Sequence, residues 1–177
     1  MNFCKYFLVI VLSVLLVVSC KEKKSNDKGL KIDKELLDEN LIQSNADAVL
    51  LENKLIDDWI KRRGIPFEET PTGLRYIISG KGTGECAKPG QKVTISYRVE
   101  LLTGKLIYTS EYSANKVFVL GKSDVENGLE EGIMLMKQGQ SAVLIIPYYL
   151  AHGILGDFNE IPPQNSIIYK LELIKIE

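Results

Sequence analysis

The second half of the chain alternates regularly between apolar and polar residues. From Val93 to Leu101 every second residue is apolar, and charged or hydroxyl-bearing residues lie between them. This period of two predicts a half-buried antiparallel strand, with one face on a core and the other in solvent. Similar shorter runs predict further strands, at Lys105 to Tyr108, Val117 to Leu120, Gln140 to Ile146 and Ser166 to Ile176.

A short helix is predicted between these strands, from Leu129 to Met136. Leu129, Ile133 and Met136 fall on one face, at spacings of four and three residues. Gly132 lowers the helix propensity, which indicates that the helix backbone comes close to the sheet at that point. Antiparallel strands with one short helix define an α+β fold, in which the sheet packs on the helix.

A longer helical segment is predicted before this domain, over residues 30–64. The helix runs from Leu30 to Arg63 and ends at Gly64, and Ser44 is a candidate N-cap with Asp47 three residues later. Its apolar stripe either packs on the domain or on itself, or serves dimerisation or partner binding. The first interpretation is favoured for an amphipathic helix. The stripe consists of Leu51, Leu55 and Trp59, flanked by Ile56 and Ile60.

The N-terminal residues resemble a bacterial lipoprotein signal peptide. Tyr6 to Val18 is an apolar run too short to span a bilayer comfortably, and Ser19 precedes Cys20 at its polar edge. The resemblance implies that residues 1–19 are removed and that Cys20 carries acyl chains, which anchor the protein to a membrane. An uncleaved N-terminal anchor is the alternative. Residues 20–29 are polar and charged and predict a flexible tether.

Composition excludes several classes of function. A net charge of −1 over 177 residues gives no basic surface for nucleic acid. A single histidine and three cysteines do not supply a zinc site, and Cys86 is the one cysteine left once Cys4 is removed and Cys20 is lipidated. Cys86 is predicted to lie in a loop. No nucleophile elbow and no phosphate-binding loop occur, so no cofactor is predicted.

A set of short motifs follows in a specific order. Residues 128–132 read Gly-Leu-Glu-Glu-Gly, residues 146–153 read Ile-Pro-Tyr-Tyr-Leu-Ala-His-Gly, and residues 161–163 read Ile-Pro-Pro. Together they resemble the FKBP-type peptidyl-prolyl isomerases over residues 73–177. The resemblance implies a curved antiparallel β-sheet packed on one short α-helix, which here follows an N-terminal helical segment. It also implies isomerase activity without a metal or a cofactor.

Some pocket positions of that family are occupied here by similar residues. Tyr97 matches a pocket tyrosine, and Tyr169 stands where the family has phenylalanine. Phe118, Val125 and Ile161 match apolar wall positions. Since the pocket is the outer layer of the core, Phe118 and Val125 also have a plain core interpretation.

Other pocket positions depart from the family pattern. Leu129 replaces the tryptophan on the pocket floor, and Ile107 replaces a wall phenylalanine. Tyr108 stands where an aspartate is usual, Glu126 where an apolar residue is common, and His152 where a tyrosine hydroxyl bonds the ligand's carbonyl. We therefore expect catalysis to depend on Tyr97, Tyr108, His152 and Tyr169. We expect the substrate pocket to comprise Ile107, Phe118, Val125, Glu126, Leu129 and Ile161.

Two functions remain open from the sequence. The first is a lipid-anchored peptidyl-prolyl isomerase of the cell envelope, on the outer membrane rather than the inner, which acts on proline-containing segments of exported proteins with modest activity. The second is a catalytically weak binding module or chaperone in a motility or secretion complex, with an envelope protein bound to the N-terminal helix. The layout is similar to that of Bacteroidetes lipoproteins, including gliding-motility-associated isomerases.

Overall fold

A computed structural model describes residues 34–177, with side chains from residue 38 onward. The predicted signal peptide, the tether and the lipidation site at Cys20 lie outside this range. The chain divides into two compact units, Met1–Leu41 and Ile42–Glu177. Of the first unit only residues 34–41 are described, and they are helical. The second unit contains the rest of that helix and the whole domain.

The elements follow the alternation of the sequence closely. Helix α1 spans Lys34–Arg63 and helix α2 spans Asn127–Met134, and a 3₁₀ turn covers Tyr148–Leu150. The strands are β1 (Glu68–Glu69), β2 (Arg75–Ser79), β3 (Thr83–Cys86), β4 (Lys92–Leu101), β5 (Leu106–Thr109), β6 (Lys116–Val119), β7 (Lys137–Gln138), β8 (Ser141–Ile146) and β9 (Ile167–Ile176).

Six of these strands form one antiparallel path in the order β1-β2-β8-β9-β4-β5, and β6 also pairs with β4. Strands β3 and β7 form a separate pair. The central neighbours β9 and β4 are joined over nine residue pairs, from Val93–Ile176 to Leu101–Ile167. These observations confirm the α+β fold with a sheet packed on a short helix.

One face of the sheet packs on α2. Leu129 and Ile133 of the helix are fully buried against it, as is Met136 just beyond the helix end. A Cβ atom on Gly132 would lie 2.4 Å from Leu144 Cδ1 of strand β8, so the predicted close approach is confirmed. Glycine is the residue that fits there because any side chain would overlap the sheet.

The opposite face of the sheet packs on the C-terminal half of α1. Ile56 is fully buried and Trp59 is 7% exposed, and both pack on Ile145 and Ile168 of the sheet. The Trp59 indole N–H donates to the Leu102 carbonyl oxygen over 2.9 Å. The helix therefore belongs to the domain through this contact, and it ends at Gly64 as predicted.

Two predictions for α1 are wrong. Ser44 is not an N-cap, because the helix continues through it from Lys34 and the preceding residues are good helix formers. Leu51 and Leu55 do not face the domain and are 60% and 52% exposed. The buried face is rotated by one residue, because it includes the polar Glu52 together with Ile56 and Trp59.

Strands β3 and β7 also correct the sequence interpretation. Cys86 ends β3 and does not lie in the predicted loop, and Lys137 and Gln138 form β7 where no strand is predicted. Short polar strands of this kind show no apolar alternation, so their period cannot be recognised. Strand β2 likewise lies where no strand was predicted.

Candidate functional site

A cleft of about 620 Å³ opens beside the N-terminus of α2. One wall comes from strand β6 and the residues that lead into α2. The other comes from the segment between β8 and β9, which we call the cleft loop (residues 147–166). The lining residues are Lys116, Asp124, Val125, Glu126, Asn127, Ala151, His152, Gly156, Asp157 and Phe158.

Glu126 lines this cleft, although only 8% of the residue's surface is exposed. It occupies the N-cap position of α2, but its side chain makes no cap hydrogen bond and turns into the cleft. Its Oε1 accepts a hydrogen bond from the Tyr169 hydroxyl over 2.8 Å, and its Oε2 lies 3.4 Å from Lys116 Nζ. A buried carboxylate is stable when cations and donors surround it in this way.

His152 approaches the same carboxylate from the cleft loop. Its Nε2 lies 3.2 Å from Glu126 Oε1. This contact has the distance of an ion pair but not the alignment of a hydrogen bond, and the buried Nε2 has no hydrogen-bond partner among residues 34–177. This ring nitrogen is therefore buried against the Glu126 carboxylate and does not face the open cleft.

The electrostatics of the cluster follow from these contacts. Burial alone would raise the pKa of Glu126, but His152 and Lys116 outweigh it and bring this pKa down to about 2. The neighbouring Glu126 carboxylate raises the pKa of His152 despite the partial burial of the ring. Burial and the same carboxylate raise the pKa of Tyr169, so its hydroxyl stays protonated and donates.

Tyr108 forms a second polar contact at the rim. Its hydroxyl donates to Asp157 Oδ2 and accepts from Asn159 Nδ2 over 3.0 Å. Asp157 Oδ1 in turn accepts the backbone N–H groups of Asn159 and Ile161, at 2.9 and 2.8 Å. Burial would raise the pKa of Asp157, but the Tyr108 hydroxyl and these amides lower it. Strand β5 is thereby fastened to the cleft loop.

Of the remaining predicted residues only Val125 lines the cleft, and the others belong to the core or pack against it. The rings of Tyr97 and Tyr169 lie 6.2 Å apart at an angle of 43°. Tyr97, Ile107, Tyr108 and Val125 are half-buried and pack on the inner core. Leu129, Ile161 and Phe118 are members of that core, at 0%, 3% and 7% exposure. Of the predicted residues, Val125, Glu126 and His152 thus line the cleft, Tyr108 and Tyr169 bond its lining residues, and the others lie in or against the core.

Lys116, Asp157 and Asn159 take part in the site and were not predicted from the sequence. Lys116 begins a short strand, and the other two lie in a long connection, so no pattern distinguishes them from ordinary surface residues. One signal was available. Glu126 stands where an apolar residue is common in the family, and a buried carboxylate requires a cationic partner nearby.

Among residues 34–177, no group of histidine, cysteine, aspartate or glutamate side chains is arranged to hold a metal ion. Within the same range, no helix has the length and apolarity needed to cross a membrane.

Comparison with known proteins agrees with this geometry. A family model described as FKBP-type peptidyl-prolyl cis-trans isomerase matches residues 83–174. The FKBP-type peptidyl-prolyl cis-trans isomerase FkpA of Buchnera aphidicola is 31% identical over 152 residues, which are 84% of this chain and 61% of that protein. The outer membrane protein MIP of Legionella longbeachae is 31% identical over 163 residues, which are 88% of this chain and 67% of that protein.

The crystal structure of FkpA from Escherichia coli shares the fold, with a TM-score of 0.64 at 24% identity over 98% of this chain and 82% of that one. The chain spans 61% of the first FkpA relative and 50% of two others. Since the family model covers more than half of the chain, with the motifs on the cleft and the helix behind it, this chain belongs to the FKBP-type peptidyl-prolyl cis-trans isomerase family.

Proposed function

We propose that this protein is a peptidyl-prolyl cis-trans isomerase that assists the folding of exported or envelope proteins. One observation carries the proposal. Aromatic side chains from separated strands meet the residues that line one cleft. The Tyr169 hydroxyl bonds Glu126 and the Tyr108 hydroxyl bonds Asp157. The Tyr97 ring lies 6.2 Å from that of Tyr169. A fold alone does not define a function, whereas a cleft built from the family's pocket positions supports that family's chemistry.

The chemistry requires surroundings that favour a twisted peptide bond. Rotation about the bond loses resonance and meets a barrier of roughly 18–20 kcal/mol. The twisted amide is less charge-separated than the planar one, so apolar walls stabilise it relative to water. Tyr97 and Tyr169, whose rings lie 6.2 Å apart, are the aromatic residues that we assign to such a wall. His152 lines the cleft and stands where a tyrosine hydroxyl of the family bonds the ligand's carbonyl, so it is the group we assign to hold the substrate's carbonyl oxygen.

The same cleft contains features that lower the rate. Glu126 places an ionised carboxylate in the wall, and Leu129 supplies an aliphatic floor in place of an aromatic one. An ion favours the more charge-separated planar amide, so less of the barrier is removed. We therefore propose modest activity on short peptides. The macrolide inhibitors that family pockets accept are expected to bind poorly.

A fluorogenic Xaa-Pro peptide assay on the purified chain tests the activity. Tyr97→Ala, which removes the ring that lies beside Tyr169, is expected to abolish turnover. Tyr112→Ala is the control, because Tyr112 is 87% exposed. Thermal melts establish that both variants fold. Equal turnover of the wild type and Tyr97→Ala would refute the assignment of the cleft as the active site.

Exposed side chains at the rim of the cleft support the proposal that its substrates are proline-containing segments of unfolded proteins. Ile154, Leu155 and Phe158 of the cleft loop are 61%, 60% and 86% exposed. Exposed apolar side chains beside a binding cleft are suited to extended apolar chain on either side of a proline. Alanine at all three positions is expected to weaken the binding of a reduced, unfolded protein more than that of a tetrapeptide. Equal losses for both would contradict this role of the rim.

Membrane attachment through a lipid on Cys20 is part of the proposal. The apolar run and the Ser19-Cys20 junction support it, and so does similarity to a relative named as an outer membrane protein. Metabolic labelling with palmitate should mark the wild type and not Cys20→Ser. Separation of the two membranes tests the outer membrane as the location. Label retained in Cys20→Ser would contradict the assignment of Cys20.

The second candidate is a binding module for an envelope protein in a motility or secretion complex. Ile42, Leu50, Leu51 and Leu55 leave an apolar surface on α1, at 69%, 67%, 60% and 52% exposure. Cell-surface crosslinking of the wild type and of Leu51→Glu/Leu55→Glu would compare partners. Loss of one defined envelope protein from the variant supports this function, whereas loss of a crosslinked homodimer, or no change, argues against it.

A further inference from the structure

The cleft loop carries several of the cleft's functional residues and has a fixed internal shape. It bears His152, Asp157 and Ile161. The Gly153 amide donates to the Tyr148 carbonyl over 2.7 Å, and the Gln164 amide donates to the Gly153 carbonyl over 3.2 Å. Internal bonds set the shape of such a loop, but its orientation on the domain depends on how its two ends are held.

The two ends are held by one carboxylate from outside the loop. The β8–β9 ladder ends at the pair Ile146–Ile167. Beyond that pair, the Tyr148 backbone N–H donates to Glu52 Oε1 over 3.3 Å, and the Ser166 hydroxyl donates to the same oxygen. Glu52, Tyr148 and Ser166 are 7%, 6% and 3% exposed. One buried carboxylate oxygen, Glu52 Oε1, thus links the two chain segments just beyond the end of the β8–β9 ladder.

Glu52 is in turn fixed by the position of α1 on the outer face of the sheet. Ile56 and Trp59, one and two turns further along, are buried against β8 and β9. Arg75 Nη1 donates to Asn53 Oδ1 over 2.7 Å, and its Nη2 donates to Asp57 Oδ1 over 3.1 Å. The carboxylate therefore reaches the loop from a helix whose following two turns are fastened to the sheet.

We propose that Glu52 is a positioning residue of the cleft, because it joins the two ends of the cleft loop to α1. On this proposal α1 completes the site that binds Xaa-Pro segments, in addition to leading toward the membrane. The inference rests on the proposed function, since it names a residue that orients the same cleft. A positioning role for Glu52 differs from a purely structural role in one respect. Removal of the Glu52 carboxylate should loosen the cleft loop selectively and leave the rest of the domain unchanged.

The experiment compares variants of the full chain. Glu52→Ala removes the acceptor and leaves the buried Tyr148 N–H unpaired, which is the costly state for a backbone group. Glu52→Gln keeps an amide oxygen for both donors and should restore the wild-type behaviour. Ser166→Ala removes one of the two bonds from the loop side without altering the helix. Asp57→Ala is the matched control, because it removes an acceptor on the same helix that bonds β2 and not the loop.

Hydrogen exchange of the amides of residues 151–161, relative to those of β4 and β9, is the main measurement. Glu52→Ala should raise exchange in the loop by about tenfold or more relative to the sheet, as expected for loss of a buried hydrogen bond worth at least ~1.4 kcal/mol. Ser166→Ala should give a smaller rise in the same amides. Glu52→Gln and Asp57→Ala should leave the ratio unchanged. In the peptide assay, Glu52→Ala should raise KM or weaken peptide binding more than it lowers kcat.

An exchange ratio in Glu52→Ala equal to that of the wild type would overturn the proposal, as would an equal rise in Asp57→Ala. If Glu52→Ala does not fold, the ratio in Ser166→Ala decides, and an unchanged ratio there refutes the idea. The outcome is separable from the proposed activity. A wild type without turnover refutes isomerase function, whereas the exchange ratios still support or refute the positioning role of Glu52.

Discussion

The two faces of the sheet are covered by two helices that pack in different ways. On the inner face, α2 contributes only apolar side chains and glycines, and Gly132 brings its backbone against Leu144. On the outer face, α1 combines Ile56 and Trp59 with the buried polar side chain of Glu52. The inner contact is fixed by shape and the outer one by shape together with specific hydrogen bonds.

The proposed site lies at the boundary between the two arrangements. The cleft opens at the N-terminus of α2, where the apolar inner face ends and Glu126 begins a polar cluster. The loop over the cleft is held from the outer face by Glu52. A site at such a boundary has apolar walls for a proline and nearby polar groups for orientation, which is the usual composition of a binding site.

The largest predicted effect breaks the outer contact. Trp59→Ala removes a buried aromatic ring and its hydrogen bond to the Leu102 carbonyl. The free energy of unfolding should fall by about 3–5 kcal/mol, the usual range for a large aromatic residue replaced by alanine. Chemical denaturation measures this loss, with Trp59→Phe as the control that keeps a ring. A loss below about 1 kcal/mol would show that α1 is not part of the domain.

The next effect tests the tight inner contact. Gly132→Ala should increase helix propensity by about 1 kcal/mol, yet the new methyl group would overlap Leu144. Overpacking costs about 1–3 kcal/mol, so we expect net destabilisation in denaturant titrations. A Leu144→Ala background relieves the overlap, and there Gly132→Ala should be neutral or stabilising. A stabilised Gly132→Ala single variant would contradict the close approach.

The inner face could be predicted from the sequence and the outer face only in part. Apolar spacing identified Leu129 and Ile133, and Gly132 marked the close approach, because packing of this kind depends on residue type alone. The α1 stripe was predicted one residue out of place, because Glu52 is polar and its burial depends on Ser166, which is distant in the chain. The polar partners in the cleft were missed for the same reason, since pairing between distant residues has no local signature.

A smaller effect concerns pH and the boundary cluster. The Glu126 carboxylate raises the pKa of His152 above its unfolded value. The stability from this pair is therefore complete below about pH 6.5 and is lost as the pH rises through the folded pKa of His152. Glu126, with a pKa of about 2, stays ionised throughout this window. We expect the effect to be at most about 1 kcal/mol, as for other partly exposed pairs.

Unfolding titrations of the wild type and His152→Gln between about pH 5.5 and 9 measure this contribution. The difference in unfolding free energy between the two proteins should narrow as the pH rises. In a Glu126→Gln background, the effect of His152→Gln should no longer depend on pH. A difference that stays constant, or that widens toward alkaline pH, would exclude the ion pair between His152 and Glu126.

The smallest effect separates the two faces of α1 itself. Leu51→Lys replaces a side chain that is 60% exposed and should change the free energy of unfolding by no more than about 0.5 kcal/mol. Ile56→Ala, one turn further on, removes a fully buried side chain and should cost about 2–5 kcal/mol. Apolar periodicity places both residues in one stripe, so denaturant titration of this pair shows which residues the helix buries.

A large loss of stability from Leu51→Lys would mean that Leu51 is covered in solution, either by a second copy of the chain or by residues outside the described range. A dependence of that loss on protein concentration would identify the second copy, because only association between chains varies with concentration.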